Sequence, residues 1–394
     1  MAISLKKIFI LSILVRIFIM PFFYHPDIKS QHFHFQFLSS GVSDIYSHLQ
    51  INRAYLPNTD TFNYLPLTYF FFGTTHTLSK TVLPQLTPWV NNWGPQKDSD
   101  PVMPAALFIL KIPYLIFDLL LGLLLYKIYS SRKILLFWLF NPLNLYLIYI
   151  LGNFDIVPVT FTFLSFYFLR RHQLALSGLA LGIAVAFKAY PLLILPFFLF
   201  YYPFSLKKFI TYLIAFSLPL ALTVIPFFGN THFWSSFFGS GLTQKLLQSQ
   251  ILTIPVFPVL YLLIFMDYLF SRHSLRLEKS IFYLFLIFVG LVNIHPQWLL
   301  WFAPLFIAYV LKTKKSFISY CLIILFSLVY VFLINDRYLF WGHLIPIDPD
   351  FITLPSPHQL LKDKFFINPY LWQNYVHYLI MITGLGFIIY DRRH

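Results

Sequence analysis

Cysteine is almost missing from this 394-residue chain. Cys321 is the single one, which excludes an internal disulfide and a thiolate cage for a metal. Charge is scarce as well. Asp, Glu, Lys and Arg make up 11% of residues against 58% hydrophobic and 21% aromatic, too little polar surface to enclose a water-soluble core. There is no phosphate-binding loop of the Walker type, no zinc-ligand spacing and no nucleophile elbow. A nucleotide-binding fold is therefore not expected, and any energy-rich donor is expected to reside in the membrane. No internal repeat, low-complexity tract or soluble domain interrupts the chain.

What the chain does have is long apolar runs, so it reads as an all-α polytopic membrane protein. The formal charge of +14 does not point to nucleic acid, because the basic residues form short clusters between apolar runs rather than one patch or stripe. Twelve candidate spans follow: 8–23, 104–126, 134–151, 156–169, 174–187, 191–202, 209–228, 252–271, 280–294, 298–311, 316–334 and 371–390. Several fall below the roughly 17 to 25 residues that a bilayer asks for, so their ends extend or some are half-helices. The first run follows Lys6 and Lys7 like a signal sequence, but it lacks a small-x-small cleavage site and is expected to stay as an uncleaved span.

Orientation comes from the basic residues. The clusters Lys6/Lys7, Lys127/Arg132/Lys133, Arg170/Arg171, Lys207/Lys208, Arg272/Arg276/Lys279, Lys312/Lys314/Lys315 and Arg392/Arg393 hold seventeen cations, all cytoplasmic if the N-terminus is inside. Counting the run from Tyr64 to Leu83 as a thirteenth span would expel Lys127, Arg132 and Lys133, so it is expected to be interfacial or re-entrant. Both termini are then expected to be cytoplasmic and residues 1–394 to form one transmembrane domain; the membrane is expected, though not from these charges, to be a bacterial plasma membrane. The outer face has a long first loop, 24–103, and further segments 229–251 and 335–370. Ten aspartates fall on this face: Asp27, Asp44, Asp60, Asp98, Asp100, Asp155, Asp336, Asp348, Asp350 and Asp363.

A few outer residues can carry chemistry. Asp27 stands just past the first span, where a carboxylate can accept a proton from a sugar or lipid hydroxyl; it can equally mark a helix end. Asp44 is a rival for that role, or a helix cap following Ser43. Asp155, in Gly152-Asn153-Phe154-Asp155, lies in an almost loopless turn at the membrane boundary, where charge is costly and is paired or functional. Lys188 opposes the positive-inside trend and can hold a lipid phosphate, or it snorkels. His295 and Gln297 can hydrogen-bond a sugar or phosphate, whereas Trp298 and Trp301 read as interfacial belt residues. Arg337 can clamp a phosphate or pair with Asp336. Inside the spans, Lys111 and Asp118 share a helix face and with Arg16 are expected to form structural pairs.

Phe137-Trp138-Leu139-Phe140-Asn141-Pro142, Gly152-Asn153-Phe154-Asp155 and Phe187-Lys188-Ala189-Tyr190-Pro191 with Pro196 occur in an order and spacing that resemble a known group. They are similar to the GT-C membrane glycosyltransferases of the glycosylphosphatidylinositol mannosyltransferase I type and their bacterial relatives. Phe117-Asp118-Leu119-Leu120, Tyr64-Leu65-Pro66-Leu67, and Gln297 with Trp301 and Pro304 extend the resemblance over about residues 8–311. Within it, Asp27 takes the catalytic position and Asp44 belongs to the element beside it. One departure is His25, which stands where family members often carry a second acidic residue, so a divalent cation lacks a complete Asp-x-Asp motif and no cofactor is assigned.

The resemblance implies an inverting transfer of a sugar, typically mannose, from a polyprenyl-phosphate donor to a glycolipid, glycan or protein acceptor on the outer face. Asp27 would be the base. Lys188 and Arg337 would stabilise the departing lipid phosphate, and Asp155, His295 and Gln297 would orient the substrates, with Tyr64 and Asp44 in the adjoining elements. The alternative is a transporter or flippase of lipid-linked sugars, which would be expected to show repeats and paired broken helices.

Overall fold

The structure, a computed structural model, describes residues 4–94, 97–239, 250–251, 254–271, 276–292, 295–313 and 317–393. Arg272, Lys314 and Lys315 of the basic clusters and residues 240–249 of the second outer segment lie outside the described residues. The architecture is helical almost throughout. Among the described residues the only extended pairing is a two-residue antiparallel ladder, with Gln250 opposite Pro255 and Ile251 opposite Ile254.

Each of the twelve apolar runs coincides with a helix or a pair of helices, from Leu5–Ile19 to Pro369–Arg393. The starts follow local chemistry. Ser4 caps the first helix by accepting from the Lys7 amide, and Pro26, Pro66 and Pro142 open theirs, where a missing N–H costs nothing. Length divides these helices into two groups. Met103–Tyr129 and Leu206–Phe227 are long and apolar enough to cross a membrane, with mean hydropathies of 2.2 and 2.0. Arg132–Leu139 and Pro142–Ile150, bent by 43° at Asn141, make a third if they are one span. Several others, including Ile156–Arg170, Leu174–Phe187 and Val256–Phe270, are apolar but shorter. Membrane character is thus carried by two or three helices on length and composition.

The run from Tyr64 to Leu83 forms one helix, Pro66–Val82, packed against Pro26–Phe35 and the turn Gln36–Ser40. The expected span 191–202 is broken into a 3-10 turn, Tyr190–Leu193, and the short helix Leu195–Leu199. Leu174–Phe187 makes its closest approach to Leu206–Val224 at Gly178 and Gly182. A methyl on Gly178 would stand 2.5 Å from the Tyr212 carbonyl, and one on Gly182 would overlap that of Phe216, the small-residue contact by which apolar helices pack backbone to backbone.

The buried ionic groups separate into two arrangements, although the shared face of Lys111 and Asp118 suggests one. A break at Lys111 divides Met103–Leu110 from Ile112–Tyr129. The Lys111 ammonium donates to the carbonyls of Met20, Phe23 and Tyr149 at 3.0, 2.6 and 2.7 Å. Asp118 accepts from Arg16 Nε at 2.6 Å, Trp138 Nε1 at 2.8 Å and Tyr149 Oη at 2.8 Å. Arg16 and Asp118 are both fully buried, and the network around this structural pair ties four helical segments together, in line with expectation.

Candidate functional site

The first outer loop, the turn after Leu174–Phe187, the helix Thr231–Gly239 and the turn 295–301 meet around a cavity of about 290 Å³. Three other cavities hold only about 10 to 20 Å³ each. The large one is lined by Thr61, Asn63, Tyr64 and Leu65, by Lys188 and Ala189, by Phe237, and by His295, Gln297, Trp298 and Trp301. Apolar and aromatic walls with a few convergent polar groups suit an organic ligand.

Lys188 is the cation of this cavity. Its ammonium donates to Asp155 Oδ1 at 2.6 Å and lies 5.3 to 5.7 Å from the ring centres of Trp301, Phe154 and Tyr64, within cation–π range. Asp155 is fully buried, and its second oxygen accepts from Trp301 Nε1 at 2.7 Å. Trp301 in turn stacks on Tyr190, with centroids 4.1 Å apart and planes 5° from parallel. An ammonium has three N–H donors, so the bond to Asp155 leaves two without a protein acceptor among the described residues. The charge is fixed in place yet still able to bind an anion.

Asp27 does not line this cavity but is within electrostatic reach of Lys188 and His295, which do, and it is 42% exposed. It opens the helix Pro26–Phe35, whose N-terminal dipole favours a carboxylate. Burial works against its charge, but His25, His295 and Lys188 outweigh burial and hold its pKa below 3.8. His25 Nδ1 stands 3.4 Å from Asp27 Oδ1, and His25 Nε2 stands 3.4 Å from Asp336 Oδ2. The imidazole is therefore bracketed by carboxylates that are 309 residues apart in sequence. Its pKa is raised to about 9, because the two carboxylates overcome the cost of burying its charge.

The candidate residues sort clearly. Tyr64, Lys188, His295 and Gln297 line the cavity, Asp155 anchors Lys188, and Asp27 is within electrostatic reach of both Lys188 and His295. Asp44 is apart from them. It caps Ile45–Ile51 through the Ser47 amide at 3.1 Å and accepts from Asn230 at 2.8 Å, the capping role that its sequence context also allowed. Arg337 neither lines the cavity nor pairs with Asp336; it is exposed and reaches the Ile352 carbonyl at 3.4 Å. Asp336 turns to His25 instead because its other oxygen is held by the Tyr338 amide at 2.8 Å. The belt reading of the tryptophans is also corrected. Trp298 and Trp301 are 8% and 3% exposed and form part of the cavity wall, since the turn carrying them folds inward over Lys188.

Sequence reasoning missed His25 as a partner of Asp27, and it missed Asp336, Asn63 and Phe237. The closeness of His25 to Asp27 in sequence is a signal that could have found the first, but no local pattern points to the others. Among the described residues no group of three or more His, Cys, Asp or Glu side chains is arranged to hold a metal ion. No family model, curated protein or solved structure matches the chain.

Proposed function

We propose that this chain is an inverting membrane glycosyltransferase that moves a sugar, mannose first among candidates, from a polyprenyl-phosphate donor to an acceptor hydroxyl on the outer face. The twelve-span, N-inside arrangement belongs to the same proposal, with the short apolar helices completing their crossings through adjoining turns. The observation that carries it is a cavity holding an anchored ammonium, Lys188, with a half-exposed carboxylate, Asp27, within its electrostatic reach.

In that reaction the acceptor oxygen attacks the anomeric carbon while the bond to the phosphate oxygen breaks. The electron pair leaves with the phosphate, and the two available N–H donors of Lys188 meet the charge as it grows. Asp27 takes the hydroxyl proton. A depressed pKa makes it a weak base, but it is ionised at neutral pH, and the hydroxyl becomes acidic as the new bond forms. Tyr64 and Trp298 offer faces on which a sugar ring can stack, while Asn63, His295 and Gln297 offer hydrogen bonds to its hydroxyls.

The test is transfer by the purified protein from a small panel of polyprenyl-phosphate sugars. Asp27→Asn is expected to lower turnover about a thousandfold while the protein still folds cooperatively, with its thermal midpoint lowered only by loss of the pair with His25. Transfer that survives this substitution removes the base. No transfer with any donor removes the reaction and favours transport.

A further inference from the structure

His25 occupies a place that the proposed chemistry does not require, and its surroundings are unusual. It stands at the N-terminus of Pro26–Phe35, where its Nδ1 has two competing partners on one residue. The Asp27 amide donates to it at 3.2 Å, and Asp27 Oδ1 lies 3.4 Å away. One nitrogen cannot serve both, because it accepts from the amide only when bare and donates to the carboxylate only when protonated. The neutral ring therefore caps the helix, and the imidazolium donates to Asp27 instead. In either state Nε2–H can point to Asp336 Oδ2 at 3.4 Å.

The rest of the shell holds the ring in place. Tyr338 packs edge-on to it with centroids 6.4 Å apart, and His343 lies 6.0 Å away. His343 is itself fixed, since its Nδ1 meets the Tyr24 carbonyl at 3.0 Å and its Nε2 meets Tyr146 Oη at 3.3 Å. Burial, together with the nearby positive charge of His25, pushes His343 down to about 3, so it stays neutral and does not compete for the carboxylates. Tyr338 Oη donates to Asp98 at 2.8 Å and is likewise out of contention. Asp27 and Asp336 are thus the two groups facing His25 that carry charge at neutral pH. At 3.4 Å both contacts are long for hydrogen bonds and lie within ion-pair range.

We propose that His25 is a positioning residue: as an imidazolium held between Asp27 and Asp336, it orients the Asp27 carboxylate and keeps it ionised, so that segment 335–370 contributes to a site built mainly from the first outer loop. This rests on Asp27 being the base of the proposed transfer. The cluster carries one net negative charge at rest and becomes neutral when Asp27 takes the acceptor proton, and the three groups titrate as a unit. The clamp also couples two distant segments, because losing Asp336 frees one side of the ring.

The experiment is the pH profile of transfer for wild type, His25→Asn, Asp336→Asn and Asp336→Glu, with thermal unfolding of each measured over the same pH range. Wild-type turnover is expected to fall on the alkaline side as the imidazolium loses its proton near about 9. In His25→Asn that limb disappears, the acid limb moves upward because Asp27 has lost its cationic neighbour, and kcat falls about tenfold with donor KM changed less than about twofold. Asp336→Asn moves the alkaline limb to lower pH, because His25 loses one of the two carboxylates that raise its pKa, and does not raise the acid limb, because Asp27 keeps its cationic neighbour and loses an anionic one; Asp336→Glu restores the wild-type profile. Unchanged limbs in both His25→Asn and Asp336→Asn would overturn the proposal.

The unfolding data separate this from failure of the transferase reading. A raised histidine pKa adds stability that is full below the ordinary histidine pKa of 6.5 and is lost as pH rises through about 9. Wild type should therefore lose thermal stability across that window, and His25→Asn should not. If this window is present but no donor supports transfer, the clamp stands and the assigned reaction is what fails. A wild type without the window loses the clamp itself.

Discussion

Two carboxylates, one in the apolar helix Ile112–Tyr129 and one at the start of Pro26–Phe35, meet cations in contrasting ways. Asp118 is fully buried, and three donors from three segments engage both of its oxygens at 2.6 to 2.8 Å. Asp27 is 42% exposed and has one side-chain partner, at 3.4 Å. The first arrangement, with no exposed surface, leaves no room for a substrate, so its contribution is to hold helices together. The second keeps an oxygen open and an adjustable neighbour, which costs stability but lets a proton arrive. On the proposed reading, what separates a working carboxylate from a structural one in such a chain is not residue type but the incompleteness of its hydrogen bonding.

That contrast can be broken most forcefully at its closed end. Asp118→Asn leaves Arg16 buried without a counter-charge and is expected to remove about 3 to 5 kcal/mol of stability, read as lost folded yield and a lowered thermal midpoint in detergent. Lys188 sharpens the comparison because it belongs to both classes, being paired to a buried carboxylate and open to the cavity. Lys188→Met should lower turnover about a hundredfold and also destabilise, by stranding Asp155. Adding Asp155→Asn should restore the thermal midpoint and not the turnover; recovery of both would mean that the pair is only structural. The smallest effect is expected at Asp44, whose replacement by Ala removes a helix cap worth about 1 kcal/mol. A shift of about 2 °C in the thermal midpoint, with turnover within about twofold, would confirm Asp44 as a cap.

The helices were legible in the sequence because apolar runs and their basic boundaries are local properties, and each run is helical. How many cross a membrane was less so, since run length in sequence does not reveal the break at Lys111 or the 43° bend at Asn141. Of the site, Lys188 and Asp155 were legible because charge at a membrane boundary stands out, and their 2.6 Å pairing follows from the cost of burying either alone. Asp336 was not legible, because it reaches His25 across 311 positions and nothing in its own neighbourhood distinguishes it from the other outer aspartates. Trp298 and Trp301 misled for a related reason: an amphipathic ring suits a lipid interface and a sugar-sized cavity equally well, and only the fold decides which it faces.

Lys111 gives the site a dependency that none of its chemistry displays. Its three carbonyl partners belong to the chain just before His25 and Asp27 and to the turn just before Asp155. Gly152, in that turn with φ of +67°, passes so near that an added methyl would sit 3.5 Å from Lys111 Cε. One ammonium thereby sets the registration between the strand of chain bearing the carboxylate and the one leading to the caged cation. Under the proposed reaction, the gap that a donor and an acceptor would share is gauged by a residue that touches neither, much as a spacer fixes two plates of a press.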